Sequence, residues 1–274
     1  MKHRLPRRPA DRVARLEGEF SLTVSRALQV LLAFSSDRPE LGITELSTEL
    51  SLSKPSVQRL VHALQRHEFL DQNPQTRKYR IGVQAFRVGS IFASARRLER
   101  DAQAVLQRLA ADTGYSSYLS VLRHDSMVIT ACAEGRGPIK FSVPVGERLP
   151  LHCSATGKAA LARLDEGTVD ELLGRTGMPA RTSRTLTDSK ALKKDLRQVR
   201  LRGYAANWEE NTPGVGSVAA AICDPQDKLV AVLSVGFAIS QADLRSLPKL
   251  GAKVAATADE IARRFLGTPV RDAA

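Results

Sequence analysis

Residues 44–66 read TELSTELSLSKPSVQRLVHALQR, and the spacing inside that stretch decides how the N-terminal third folds. Thr44 is a helix-capping type, and Leu46 and Leu50 stand one turn apart in a short helix, Glu45–Leu50. Ser51-Leu52 leaves room only for a tight turn. Ser53 suits the N-cap of a second helix, and Pro55 falls in its first turn, where a missing N–H costs no helical bond. Val57, Leu60, Val61 and Leu64 then recur at the spacing of one apolar face. The opposite flank carries Lys54, Ser56, Gln58, Arg59, His62 and Arg66. Two short helices joined by such a turn, the second with a polar, basic flank, make a helix-turn-helix.

Upstream, a helix is expected from Thr23 to about Phe34, with Val24, Ala27, Leu28, Leu31 and Leu32 as its inward stripe. The polar break Ser35–Gly42 follows. Downstream, Phe69-Leu70 and Arg77–Ile81 read as two short strands around the turn signal Asn73-Pro74. That hairpin is a wing, and Arg77, Lys78 and Arg80 on its second strand are placed to reach phosphates. Helices are then expected at Val83–Arg97, apolar at Val83, Phe86, Val88 and Ile91, and at Asp101–Thr113. The first of these is a candidate dimer contact.

From Tyr115 the pattern changes. Strands are expected at Ser116–Leu122, Met127–Ala133, Ile139–Val143, Tyr204–Trp208, Val218–Cys223 and Val230–Val235. Helices are expected at Ala155–Leu164, Thr168–Leu173, Lys190–Leu201 and Gln241–Phe265. Together these describe an α+β domain, an antiparallel sheet with helices packed on it. The organisation is a basic arm (1–20), a winged helix-turn-helix (21–82), a linker helix (83–98), a second domain (99–267) and a tail (268–274).

Charge agrees with that division. Of 41 Lys/Arg and 29 Asp/Glu, residues 1–100 hold 18 and 10. The excess positive charge therefore concentrates where the helix-turn-helix lies, as a polyanionic partner requires. No apolar run is long enough for a membrane span, and Met1–Ala10 lacks the apolar core of an export signal, so a cytoplasmic protein is expected. Cys132, Cys153 and Cys223 are too few and too far apart for a disulfide framework or a zinc site.

The chain resembles the IclR family of bacterial transcriptional regulators over Ser25–Gly267. The words that carry the resemblance are Ser25-Arg26-Ala27-Leu28, residues 45–60 (ELSTELSLSKPSVQRL) and Tyr79-Arg80-Ile81-Gly82, then residues 145–159 (VGERLPLHCSATGKA). Arg202-Gly203-Tyr204-Ala205, Glu209-Glu210, Gly214-Val215-Gly216, residues 218–222 (VAAAI) and Ser234-Val235 follow in order. The resemblance implies a winged helix joined by a linker helix to a GAF-like effector-binding domain. It also implies dimers or tetramers that bind palindromic operator DNA and respond to small metabolites. One departure is visible: where the family continues from Ser234-Val235 with Ser or Gly and then Pro, this chain has Gly236-Phe237, which is expected to alter the pocket's edge.

For DNA, the candidate contacts are Lys54, Ser56, Gln58, Arg59 and His62 on the second helix and Arg77 and Lys78 on the wing. Gln pairs with adenine and Arg with guanine, while Lys54 and Ser56 equally suit phosphates. For Arg59, an ion pair within its own domain is the alternative. For the effector, Ser154, Ala155, Thr156 and Gly157 are small residues that leave backbone N–H groups open where a helix begins, an arrangement suited to a carboxylate. Capping alone is the alternative for Ser154 and Thr156. The resemblance adds Glu210, Ala221, Cys223, Ser234 and Gly236 to the cleft.

Enzyme chemistry finds no support. His152 and Cys153 are neighbours on an extended chain and point to opposite faces, so they make a poor base and nucleophile. Gly157-Lys158-Ala159 lacks the first glycine and the final hydroxyl of a phosphate-binding loop. Glu209 and Glu210 are sequence neighbours without a partner motif, and His62, His67 and His124 lack metal-ligand spacing. No cofactor or metal is expected. The reading is a regulator, repressor in preference to activator, tuned by an organic acid or aromatic catabolite. A ligand sensor whose helix-turn-helix serves protein contacts is the alternative.

Overall fold

The computed structural model describes residues 21–35, 37–95, 97–137 and 142–266. The expected arm and tail, and residues 139–141 of the expected strand Ile139–Val143, lie outside these; residues 142 and 143 carry no regular structure. The chain divides into two compact units, Met1–Ala95 and Arg96–Ala274.

The first unit holds α1 (Leu22–Leu32), α2 (Ile43–Glu49), α3 (Lys54–Arg66), β1 (Leu70–Gln72), β2 (Tyr79–Ile81) and α4 (Val83–Ala95). Its core is Val30, Leu41, Leu46, Val57, Leu60, Val61, Leu70 and Tyr79. The turn between α2 and α3 is closed by Ser47, whose hydroxyl donates to the Leu52 carbonyl at 2.6 Å, while Ser51 takes a left-handed conformation (φ 52°). α2 begins two residues earlier than expected. Gly42, not Thr44, precedes it, and the Glu45 carboxylate receives the Gly42 N–H at 2.6 Å. Ser53 stands at the N-cap of α3, yet its hydroxyl pairs with that of Ser56 (2.9 Å) instead of a backbone N–H.

The first wing strand runs one residue longer than expected and starts at Leu70, and the second is two residues shorter. Asn73 Oδ1 accepts from the N–H groups of Gln75 and Thr76, which draws Arg77 (φ 58°) and Lys78 into the turn. Glu40 fixes that turn by accepting from Asn73 Nδ2 and Thr76 Oγ1. Leu41 exchanges two 2.9 Å backbone bonds with Tyr79, adding a third chain segment to the hairpin.

One expectation fails in α1. Ala27 and Leu31 are half-buried, but Val24, Leu28 and Leu32 are exposed, Leu32 by 82%, and the fully buried residue is Val30. In α4, Val83, Phe86, Val88 and Ile91 are exposed as well, Phe86 by 75%. The α1 stripe read as the inward face is thus largely exposed, and so is the apolar side of α4, the candidate dimer contact.

The second unit is built on one antiparallel sheet in the order β5-β4-β3-β8-β7-β6. Its strands are β3 (Ser116–Arg123), β4 (Ser126–Ala133), β5 (Arg148–Leu149), β6 (Ala205–Trp208), β7 (Val215–Cys223) and β8 (Leu229–Ala238). On one face, Leu119, Val121, Val218, Ala220, Leu233 and Val235 pack under α5 (Arg97–Thr113) and α9 (Leu247–Phe265). On the other, Met127, Ala219 and Val232 pack against α6 (Ala155–Leu161), α7 (Glu166–Thr176) and α8 (Ser189–Arg202). Side chains alternate between these faces with period two. A bulge at Thr130, between the pairs Leu119–Ala131 and Ser120–Ile129, resets that alternation and brings Ile129 to the α6 side.

The last helix is shorter than expected. Two 3₁₀ turns, Ile239–Gln241 and Leu244–Ser246, precede it, and Pro248 lies in its first turn, where a proline interrupts no helical bond. α7 is longer than expected because Asp165 caps it, accepting the Thr168 N–H at 2.9 Å.

Phe237 is 1% exposed and packs with Tyr115 and Trp208 on the α5/α9 face. Its ring occupies space left by Gly216 on the paired strand: a Cβ at Gly216 would lie 2.3 Å from the ring. Gly216→Ala should therefore destabilise the protein by roughly 1–3 kcal/mol through overpacking. Phe237→Leu in the same chain should return part of that loss, a coupling that urea unfolding of both single variants and the double variant reads. An unchanged midpoint for Gly216→Ala would show that the ring and the strand do not constrain each other.

Candidate DNA-reading helix and ligand cavity

α3 turns Val57, Leu60 and Val61 into the core, which leaves Lys54, Gln58, Arg59 and His62 exposed on its other flank. Ser56 is half-buried and engaged by Ser53. Among the described residues Arg59 makes no ion pair, so the intradomain alternative has no carboxylate to serve it. The wing cations differ from one another. Arg80 is bound to Asp71 across the hairpin at 2.7 Å, and Lys78 is bound to Glu45 of α2 at 3.0 Å. Arg77 is exposed at the left-handed position of the turn. Both ion pairs are solvent-exposed, and such pairs are worth only about 0–1 kcal/mol, so phosphates can displace them.

The Glu45 carboxyl is held below its usual range by the Gly42 N–H and the Lys78 ammonium. Hydrogen bonds from Asn73 and Thr76 do the same for Glu40. Both carboxylates stay ionised and keep the wing tied to the segment preceding α2 and to α2 itself.

In the second unit a cavity opens on the α6 face of the sheet, with about 50 Å³ of room for groups the size of water. That is several times the roughly 10–15 Å³ that one water occupies on this measure, enough for a compact ligand. Of the effector residues expected from sequence, Ser154, Thr156, Ser234 and Gly236 come together in its wall. Tyr118, Ile129, Leu149, Asn207, Asn211 and Ser217 complete most of the lining. Every side chain in the wall is uncharged.

Five expected residues lie elsewhere. Ala155 is buried within α6 and does not line the cavity. Gly157 is buried too, and its N–H is not open: Ser154 Oγ accepts it at 2.9 Å. A Cβ there would sit 2.4 Å from the Leu151 carbonyl, so Gly157 serves close packing. Glu210 turns its carboxylate away, to Lys158 Nζ at 2.6 Å. Ala221 borders a separate small void beside Ala159, Arg200 and Gly203, and Cys223 pairs with Leu229 at the far end of β7. At about 3.3 Å per residue, these two stand roughly 13 and 20 Å along the strand from Ser217. Phe237 does not touch the cavity edge, because alternation sends it to the opposite face of β8 from Ser234 and Gly236.

The hydroxyls at the mouth of α6 are already engaged. Ser154 Oγ donates to the Pro150 carbonyl (2.6 Å) while accepting from Gly157, and stands 3.1 Å from Thr156 Oγ1. Thr156 therefore donates to Ser154, and a ligand carboxylate must turn that hydroxyl toward itself. Asn207 is 3% exposed, accepts the Glu210 N–H at 2.7 Å and reaches Ser217 Oγ at 3.3 Å. A sequence signal for Asn207, Ser217 and Tyr118 did exist: polar groups at alternating positions of apolar strands are costly to bury unless they face something polar.

The neighbouring reactive types are quenched. His152 is buried, its ring sits 3.0 Å from the Pro179 carbonyl, and burial lowers its pKa. Burial pushes the Cys153 thiol up to about 11, away from thiolate chemistry at neutral pH. Among the described residues no group of three His, Cys, Asp or Glu is placed to hold a metal, and no helix is long and apolar enough to cross a membrane.

Comparison with known proteins agrees with both halves of this description. The model of the IclR helix-turn-helix domain matches residues 23–74, and that of the bacterial transcriptional regulator IclR C-terminal domain matches residues 92–263. The acetate operon repressor of Salmonella typhimurium is 32% identical over 267 residues, 96% of each chain. The regulator XynR of Escherichia coli is 34% identical over 222 residues, covering 81% of this chain and 88% of its own. Among solved structures, an IclR-type transcriptional regulator from Alicyclobacillus acidocaldarius superposes with a TM-score of 0.76 at 28% identity, covering 89% of this chain and 98% of its own. With a winged helix-turn-helix in one unit and a sheet-backed cavity in the other, the chain belongs to the IclR family of bacterial transcriptional regulators.

Proposed function

We propose that this protein is a repressor that binds operator DNA through α3 and the wing and releases or engages it when a small acid fills the cavity of the second unit. The observation that carries the reading is the outer flank of α3, polar, cationic, exposed and, among the described residues, without an ion pair at Arg59. Gln58 and Arg59 are assigned to base edges in the major groove. Lys54, Ser56, His62, Arg77 and Lys78 are assigned to the backbone. A helix-turn-helix used for protein contacts would present an apolar flank, which α3 does not.

The cavity's size favours a short organic acid over an aromatic catabolite, and the relative named as the acetate operon repressor is consistent with a metabolite of that scale. Ser154, Thr156, Ser217 and Ser234, with Tyr118 and Asn207, are its assigned contacts. Glu210, Ala155 and Gly157 support the wall without touching the ligand. No turnover is expected, since Cys153 is held as a thiol and His152 faces the Pro179 carbonyl.

Self-association follows from the outward apolar stripe. A second copy of the chain is the natural cover for Leu28 and Leu32 of α1 and Phe86 and Ile91 of α4, and two-fold symmetry then matches a palindromic site.

Arg59→Ala should weaken operator binding by about tenfold to a hundredfold, in keeping with one lost bidentate base contact, while the second unit melts as before. Retained operator affinity would remove α3 from the recognition role. Arg77→Ala with Lys78→Ala should weaken binding to all DNA alike and flatten the slope of log affinity against log salt by about two units at most; a loss confined to one sequence would assign these residues to base reading instead. Phe86→Asp should shift the protein toward monomer in sedimentation and lower operator affinity with it, whereas an unchanged sedimentation profile would place the self-association surface elsewhere.

A further inference from the structure

Residues 207–211 form a partition. Asn207 and Asn211 line the cavity described above, while Trp208 and Glu210 line an open cleft of about 680 Å³. That volume is within the range of small-molecule sites. The cleft runs along β6, the last strand of the sheet, between α8 and the start of α9.

Its chemistry is unlike the cavity's. At its floor the Lys158 ammonium, 2% exposed, bridges Asp195 (3.0 Å) and Glu210 (2.6 Å). That bond uses one oxygen of Glu210. The other, Oε2, is buried and has no hydrogen-bond partner. A buried acceptor left unmatched is costly, and a cleft wall is where a ligand can supply the missing donor. Burial raises the Glu210 pKa, while the charge of Lys158 and its hydrogen bond act to lower it. The rim adds Arg184 and Lys194. Arg184 pairs only with Glu209 at 3.5 Å in an exposed contact, and Lys194 makes no ion pair among the described residues. Between floor and rim lie the Trp208 indole, Leu186 and Leu247.

We propose that this cleft is a second ligand site, distinct from the cavity, and that it takes an aromatic monocarboxylate bearing a ring hydroxyl. The carboxylate sits at Arg184 and Lys194, the ring against Trp208 and the leucines, and the hydroxyl donates to Glu210 Oε2. The shared partition makes the two sites neighbours through one backbone segment, so occupancy of one changes affinity at the other, and by linkage the effect is reciprocal. The cleft is lined wholly by residues of the second unit, so binding there can be measured without DNA.

Trp208 is the chain's single tryptophan and lines the cleft, so its emission reads the cleft wall. Full-length protein should be titrated with 4-hydroxyphenylacetate and with phenylacetate. The expected result is a saturable change in Trp208 emission, with phenylacetate binding about tenfold more weakly for want of the donor. Arg184→Ala with Lys194→Ala, both surface changes, should weaken both ligands by about tenfold or more. Ser217→Val, which fills the cavity behind the partition, should leave the saturable change in place while shifting its midpoint. No saturable change, equal affinity for the two acids, indifference to the Arg184/Lys194 pair of substitutions, or loss of the signal in Ser217→Val would each overturn the proposal. Operator binding of the same preparations, measured separately, keeps failure here distinct from failure of the DNA-reading assignment.

Discussion

Lys158 is an ammonium almost wholly removed from water in the middle of a seven-residue helix. Such a charge is tolerable only while its partners hold, and removing one partner of a buried pair typically costs about 3–5 kcal/mol. Its two partners come from different places: Asp195 from α8 and Glu210 from the segment after β6. The lysine therefore fixes three elements relative to one another, and α6 carries the consequence in both directions. Its N-cap Ser154 and its second residue Thr156 form one wall of the cavity; its fourth residue, Lys158, forms the floor of the cleft. The position of the cavity wall is set by a charge that the cavity itself never sees.

The helix-turn-helix was legible because its signals are local. The spacing of Val57, Leu60 and Val61, and a turn with no room for anything else, leave few ways to fold residues 44–66. The α1 stripe was misread for the opposite reason. Periodicity reports that Val24, Leu28 and Leu32 share a face, but not whether the cover for that face belongs to the same chain. In the second unit, alternation told which face of a strand a residue takes without telling how far along the strand the cavity lies. Ser234 and Gly236 line the cavity, while Ala221 and Cys223 lie displaced along β7. Glu210 turns to Lys158, 52 residues away in sequence, and no local pattern announces that pairing.

Phe237 shows how a departure from a family's pattern can be absorbed. The ring was expected at the pocket edge, yet it turns to the far face of the sheet, where Gly216 leaves space and Tyr115 and Trp208 flank it. Gly236, the residue that does face the cavity, has no side chain to intrude. The pocket's outline on that side is thus drawn by backbone, and its selectivity falls to the hydroxyls and amides opposite.

Glu45 serves two donors, the Gly42 N–H and the Lys78 ammonium. Were a phosphate to take Lys78, the carboxylate would not be abandoned, since the start of α2 would still donate to it. Such an exchange would leave no stranded anion facing a duplex, and the helix end that carries the scaffold would keep its stopper. A wing wired in this way can let go of its tether on contact and recover it on release, with the same atom acting as a standing reserve for the cation.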